Sequence, residues 1–173
     1  MKKYVFVING PGGVGKDTLC ALAAKHFKVK NVSSITPIKE IATACGWGGE
    51  KTDRARKFLA DLKALTVAYN DYPTRWITEE YKKFLEGEDE IMFVHIREGA
   101  EIRKFVDATE GRAITLLVRG GKRFHRRTGS YGNAADDEVE KYRYDYVFYN
   151  DHPLSETERI FVGFLNRIFR ERP

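Results

Sequence analysis

The stretch from Tyr4 to Thr18 limits the possible folds of this chain more than any other. Tyr-Val-Phe-Val-Ile-Asn, residues 4–9, is an almost unbroken apolar, β-branched and aromatic run. That pattern predicts a strand buried on both faces of a parallel sheet. Gly10-Pro-Gly-Gly-Val-Gly-Lys-Asp-Thr18 follows, with four glycines among the six residues 10–15. Such a turn lets the backbone wrap closely around an anion, because no side chain blocks the approach and positive φ is cheap. From Lys16 the periodicity becomes helical, with Leu19, Leu22, Ala23 and Phe27 on one face. A helix beginning there points its unpaired N–H groups and positive dipole end at whatever the loop holds. Gly10 to Lys16 satisfies G-x-x-x-x-G-K, and the strand-before, helix-after context is the one that phosphate-binding motif requires. Gly10, Gly12, Gly13, Val14, Gly15, Lys16, Asp17 and Thr18 are therefore the candidate nucleotide-binding residues. One residue departs from the general pattern. The position after the lysine, usually Ser or Thr, is Asp17, and the hydroxyl comes one place later at Thr18.

A chain of 173 residues is long enough to bury a real core in one domain. Its 42% hydrophobic and 32% charged content describes a globular protein, and the net charge of +5 favours an anionic partner. Cys20 and Cys45 lack metal-ligand spacing and fall within predicted helices. They read as reduced, core-filling thiols of a cytoplasmic protein. The opening Met-Lys-Lys-Tyr-Val-Phe-Val-Ile resembles a signal peptide in composition. Its apolar run is too short and leads straight into the glycine loop, so it is assigned to the fold. No run approaches the ~20 apolar residues of a membrane span.

Further along, residues 27–34 predict a second strand. Thr36-Pro37 predicts a helix start, with Thr36 as N-cap. A long helix is expected over 52–69, with Ala55, Phe58, Leu59, Leu62, Leu65 and Tyr69 as its apolar face. Arg54 and Arg56 point about 200° apart on it and cannot face one site. Pro73 interrupts, and another helix follows over 74–85. Ile91-Met-Phe-Val-His-Ile96 is the third strand, and His95, Arg97 and Glu98 stand at its carboxyl end, where open parallel sheets bind ligands. A helix over 100–108, a strand over 113–119 and a strand over 146–149 come next. Ser155-Glu-Thr-Glu158 predicts a capping box opening a last helix. That helix buries Ile160, Phe161, Phe164, Leu165, Ile168 and Phe169. From Arg112 to Arg127 there are six Arg or Lys, one His and no acid. Glycines surround Arg126 and Arg127, so a lid over 120–135 is expected. Strands alternating with helices predict a three-layer α/β/α architecture with a five-stranded parallel sheet.

The Gly-Lys-Asp-Thr loop, the helix-loop-helix after the second strand, the Arg ending the third strand and the basic loop before the last strand together resemble the P-loop nucleoside and nucleotide kinases. The chain is most similar among these to the deoxynucleoside monophosphate kinases of bacteriophages and their bacterial relatives. The resemblance implies strand order 2-3-1-4-5, ATP and Mg²⁺ as cofactors, and transfer of the γ-phosphoryl to a nucleoside monophosphate. It implies an acceptor segment over 35–86, with Thr36 to Glu40, including Lys39, binding the acceptor together with Arg56 and Arg97. The family's acid at the end of the third strand falls on His95, although Glu98 and Glu101 are near in sequence.

The chemistry also stands on the residues themselves. Phosphoryl transfer needs positioning and charge neutralisation more than covalent chemistry. Loop N–H groups would cradle the β-phosphate, Lys16 would bridge β- and γ-phosphates, and Thr18 would assist. Asp17 would hold Mg²⁺, directly or through water, or accept a proton from the attacking group. Arg126 and Arg127 would close over the transferring phosphoryl. His95 reads as a hydrogen-bonded strand-end residue, since no second His or Cys lies at ligand spacing. Trp47 and Trp76 read as packing residues. The basic stretch 119–127 would also suit nucleic acid, but no recognition-helix pattern accompanies it. Three functions stay open. They are a nucleoside monophosphate kinase, a kinase for another small acceptor of the phosphomevalonate or dephospho-coenzyme A type, and a nucleotide-binding regulatory protein without turnover. A monomer or homodimer is expected.

Overall fold

In a computed structural model, residues 2–121 and 134–172 are described. The elements run β1 (Tyr4–Asn9), α1 (Lys16–Ala23), β2 (Val29–Ser33), α2 (Thr36–Ala44), α3 (Asp53–Asn70), α4 (Tyr72–Glu86), β3 (Ile91–His95), α5 (Gly99–Ala108), β4 (Ile114–Gly120), α6 (Ala134–Lys141), β5 (Tyr146–Asn150) and α7 (Leu154–Glu171). The five strands form one sheet of order β2-β3-β1-β4-β5 with every pairing parallel, as expected.

Alternation along the central strands explains their continuous apolar runs. Phe6 and Ile8 of β1 face one side, with Phe93 of β3 and Leu116 of β4. They pack there against Leu19 and Ala23 of α1 and Phe161, Leu165 and Ile168 of α7. Val5 and Val7 face the other side and pack with Met92 and Val94 against Ile77, Tyr81 and Phe84 of α4 and Ile102 and Phe105 of α5. Both faces are covered, so the central strands are apolar almost throughout, and the buried Thr115 of β4 has its hydroxyl paired with Asp145 Oδ2. In parallel strands all carboxyl ends lie at one edge, which brings Asn9, Ser33, His95, Gly120 and Asn150 together there.

Four local expectations are corrected. Thr36 is not an N-cap; it lies inside α2, Ile35 holds the cap position, and no side chain caps that end. The Ser155–Glu158 capping box does not form, because α7 begins at Leu154 with Pro153 at the cap position, two residues ahead of Ser155. Thr157 Oγ1 instead donates to Pro153 O, and Glu158 is drawn to Lys25 and His26 of the α1 end. Cys45 fills no core; it is exposed at the C-terminal cap of α2, whereas Cys20 is buried. The apolar face of α3 is largely uncovered, since only Ala55 is buried, while Leu65 is 68% and Tyr69 83% exposed. This helix packs on α2 and α4 rather than on the sheet. The break before α4 occurs at Asp71, whose φ of 53° is left-handed, and Pro73 sits buried in the first turn of α4. Thr52 caps α3, its Oγ1 accepting from Ala55 N.

One tether fixes α4 against β1. Lys3 Nζ donates to Phe84 O (2.7 Å), Gly87 O (2.7 Å) and Asp89 O (2.8 Å), so one cation satisfies carbonyls that the end of α4 leaves open. Lys3→Met is expected to cost about 1–3 kcal/mol, the cost of leaving such groups unpaired. At 2–4 °C per kcal/mol for a chain of this size, thermal unfolding would register a fall of several degrees.

Candidate functional site

The loop after β1 takes the shape its glycines permit. Gly10, Gly13 and Gly15 have φ of 151°, 76° and 94°. A Cβ at Gly10 would lie 2.4 Å from Val118 O, so only glycine lets the loop leave β1 beside β4. The side chain of Val14 is fully buried in the first core cluster, and Asn150 Nδ2 donates to Val14 O at 2.9 Å. The loop is thus fastened from below by an apolar peg and by β5. Gly15 caps α1 in the left-handed region, and the first helical bond runs from Leu19 N to Gly15 O.

Lys16 Nζ donates to Gly10 O (2.7 Å) and Pro11 O (3.0 Å), which lays the ammonium across the loop. Asp17 and Thr18, on the first turn of α1, are exposed, Asp17 by 95% at its side chain. Asp17 Oδ1 lies 3.8 Å from His95 Nε2. That ring nitrogen also lies 2.8 Å from Asn31 Oδ1 and 3.8 Å from Cys20 Sγ. Burial holds the His95 pKa below its ordinary value; Asp17 opposes that shift and Lys16 adds to it. His95 is therefore a neutral, hydrogen-bonded residue at the strand end. The Cys20 thiol beside it is pushed up to about 12, chiefly by burial and then by Asp17, which leaves it protonated and unreactive.

Arg97 comes to the loop as its position after β3 suggested. Its Nη2 lies 3.8 Å from where a Cβ on Gly12 would stand. α3 supplies a cation that sequence reasoning missed. Lys63 Nζ pairs with Glu98 Oε2 (2.6 Å) and Glu101 Oε2 (3.2 Å) on either side of the start of α5. Glu101 is 93% buried; its Oε2 has Lys63 as ionic neighbour but receives no hydrogen bond of good geometry. Arg56 lies seven residues before Lys63, about two turns along the same face of α3. It is exposed, with Asp53 3.8 Å away. Lys39 is exposed on α2. Arg126 and Arg127 lie outside the described residues, as does most of the expected lid. Trp47 Nε1 donates to Glu50 O, and Trp76 packs against the second core cluster, so both have structural roles. A concavity of about 720 Å³ along α4, lined by Tyr72, Arg75, Trp76 and their neighbours, includes none of the loop residues. The site is identified by chemistry, not by concavity.

The oxygen donors suit Mg²⁺. Among the described residues no three His, Cys, Asp or Glu side chains gather to hold a metal. Asp17 and Thr18 offer one exposed carboxylate and one hydroxyl beside the loop. Mg²⁺ is commonly bound in this way, through one or two protein oxygens, with phosphates and water completing the shell.

No family model and no curated protein matches the chain. Solved structures do. A tunicamycin resistance protein from Deinococcus radiodurans matches with TM-score 0.60 at 11% identity, over 95% of this chain and 96% of that one. A gluconokinase from Sinorhizobium meliloti 1021 matches with TM-score 0.53 at 17% identity, over 96% and 93%. Shikimate kinase from Aquifex aeolicus matches with TM-score 0.53 at 10% identity, over 94% and 96%. At such identities the likeness establishes the fold alone, a three-layer α/β/α architecture. No helix among the described residues is long and apolar enough to cross a membrane.

Proposed function

We propose that this chain is an ATP-dependent phosphotransferase that moves the γ-phosphoryl group of ATP to a small phosphorylated acceptor, with a (deoxy)nucleoside monophosphate as the favoured class. The observation that carries this reading is the approach of Arg97 to Gly12. A fork-shaped cation beside a glycine loop of this form supports the binding of an acceptor phosphate next to the donor phosphates.

The loop N–H groups and the α1 N-terminus bind the donor phosphates, and Lys16 neutralises charge on the β- and γ-oxygens. Arg97 binds and orients the acceptor phosphate, assisted by Arg56 and Lys39 from the segment 35–86. Arg126 and Arg127 exclude water from the transferring group. Asp17 and Thr18 would hold Mg²⁺, which supplies charge neutralisation between the phosphates when bound. Asp17 is also the nearest carboxylate to accept a proton from the attacking oxygen.

Thermal-shift screening with ATP and a panel of nucleoside monophosphates, followed by acceptor-dependent ADP release, tests the reading, since ligand binding raises apparent stability by mass action. At least one monophosphate is expected to raise the melting temperature and to drive ADP release. Arg97→Ala is expected to raise the acceptor KM about 10- to 100-fold, the value of 1.5–3 kcal/mol for charged hydrogen bonds, with ATP binding little changed. Turnover with only a phosphomevalonate- or dephospho-coenzyme A-type acceptor would transfer the same mechanism to that substrate. His95, standing where the resemblance places an acid, favours as second reading a nucleotide-binding protein without turnover. ATP stabilisation with no ADP release across the panel would decide for it.

A further inference from the structure

Asn9, the last residue of β1, is a polar side chain only 1% exposed beneath the loop. All of its amide is engaged. Oδ1 accepts from Gly10 N at 2.8 Å, and Nδ2 donates to Arg97 O at 3.0 Å and to Tyr144 Oη at 2.8 Å. Tyr144 Oη in turn donates to Val139 O at 3.0 Å, near the end of α6. Burial pushes the Tyr144 phenol up to about 12, so it keeps the proton this bond needs. A second contact joins the same parts. The Tyr142 ring lies 3.3 Å from where a Cβ on Gly99 would stand, at the start of α5, and it meets the Tyr144 ring edge-on at 5.0 Å. Arg119, at the end of β4, pairs with Glu140 in the last turn of α6.

Residues 139–144 therefore touch the first peptide of the loop and the peptide of Arg97 through one buried amide, and the start of α5 through one aromatic ring. A packing role alone would be served by apolar residues. A buried amide whose oxygen and both N–H groups are engaged is costly to misplace and has one favoured geometry.

From this geometry we infer that Asn9 and Tyr144 are positioning residues, which hold the donor loop and Arg97 in register and couple both to the end of α6. Neither touches substrate. The role rests on the kinase reading, because it matters only if the loop binds a nucleotide.

The test is hydrogen exchange of the full chain with and without Mg²⁺ and the non-hydrolysable analogue adenylyl-imidodiphosphate, beside calorimetric affinity and thermal unfolding. In the parent, the analogue is expected to slow exchange in residues 10–18, 97–101 and 138–144 together. In Tyr144→Phe, analogue affinity is expected to stay within about threefold and protection of 10–18 to persist. Protection of 97–101 and 138–144 is expected to fall at least fivefold. Gly99→Ala, which crowds Tyr142, is expected to weaken protection at 138–144 without removing the Asn9 bonds. The Asn9→Ala/Tyr144→Phe double variant is expected to lose no more protection than Asn9→Ala alone, as one pathway requires. Retained protection in Tyr144→Phe would overturn the coupling. So would faster exchange spread over the whole chain in step with a lowered melting temperature, which would mark a packing role only. A parent that binds the analogue without protecting 138–144 overturns this inference alone. A parent that does not bind it overturns the kinase reading as well.

Discussion

Lys16→Ala is expected to abolish phosphoryl transfer and leave the fold in place. The ammonium lies across the loop, held by the carbonyls of Gly10 and Pro11. It belongs to neither core cluster. Removing it exposes two carbonyls that water can reach, so the stability change is expected to stay small. The kinetic change is expected to be large. A cation fixed beside the β- and γ-phosphates acts on charge that builds during transfer, in a site where the effective dielectric is well below that of water. Loss of one such contact typically costs at least ~100-fold in kcat, or about 2.7 kcal/mol. Turnover and thermal unfolding measured on the same purified variant check both halves. Near-normal turnover would remove the kinase reading.

Asp17→Asn is expected to keep ATP binding and lose most Mg²⁺-dependent turnover. The carboxylate is exposed on the first turn of α1, one residue past Lys16. Beside ATP phosphates it would be repelled, so its presence there makes physical sense with a cation or a proton between them. Its neighbour cannot take over. Burial keeps His95 neutral, Asn31 Oδ1 lies 2.8 Å from its Nε2, and imidazole is a poor ligand for so hard a cation. His95→Asn is accordingly expected to be milder. Titrating Mg²⁺ against turnover in both variants separates the roles. An unchanged Mg²⁺ requirement in Asp17→Asn, with a raised one in His95→Asn, would reverse the assignment.

The architecture was legible because its signals are local and repeated. Tyr4 to Ile8 and Ile91 to Val94 are apolar at successive positions, and a short β-branched and aromatic run of this kind suits a strand covered on both faces. The glycines between Asn9 and Lys16 permit one kind of turn, which is why the loop could be located before any contact was known. The helix starts were less legible. Thr36 and Ser155 are competent caps, but whether a cap forms depends on where the incoming chain is held, and the helices began one and two residues earlier than their signals. The periodic apolar face of α3 was misleading for a related reason. Periodicity says that one face is apolar, not that another element comes to cover it, and Leu65 and Tyr69 stay exposed.

The sequence by itself thus determined the strands of a parallel sheet, the glycine-rich loop after the first of them and the placing of Lys16, Asp17 and Thr18 beside it, which neighbour one another along the chain. Only the tertiary structure decided which residues distant in sequence meet. Arg97 meets Gly12 across 85 residues, Lys63 meets Glu98 and Glu101 from another helix, and Asn9 meets Tyr144 across 135. Each of these is a polar residue of ordinary surface type in its own segment. What sets it apart is a partner distant in sequence, met only once the chain has folded and the parallel strands bring their carboxyl ends to one edge.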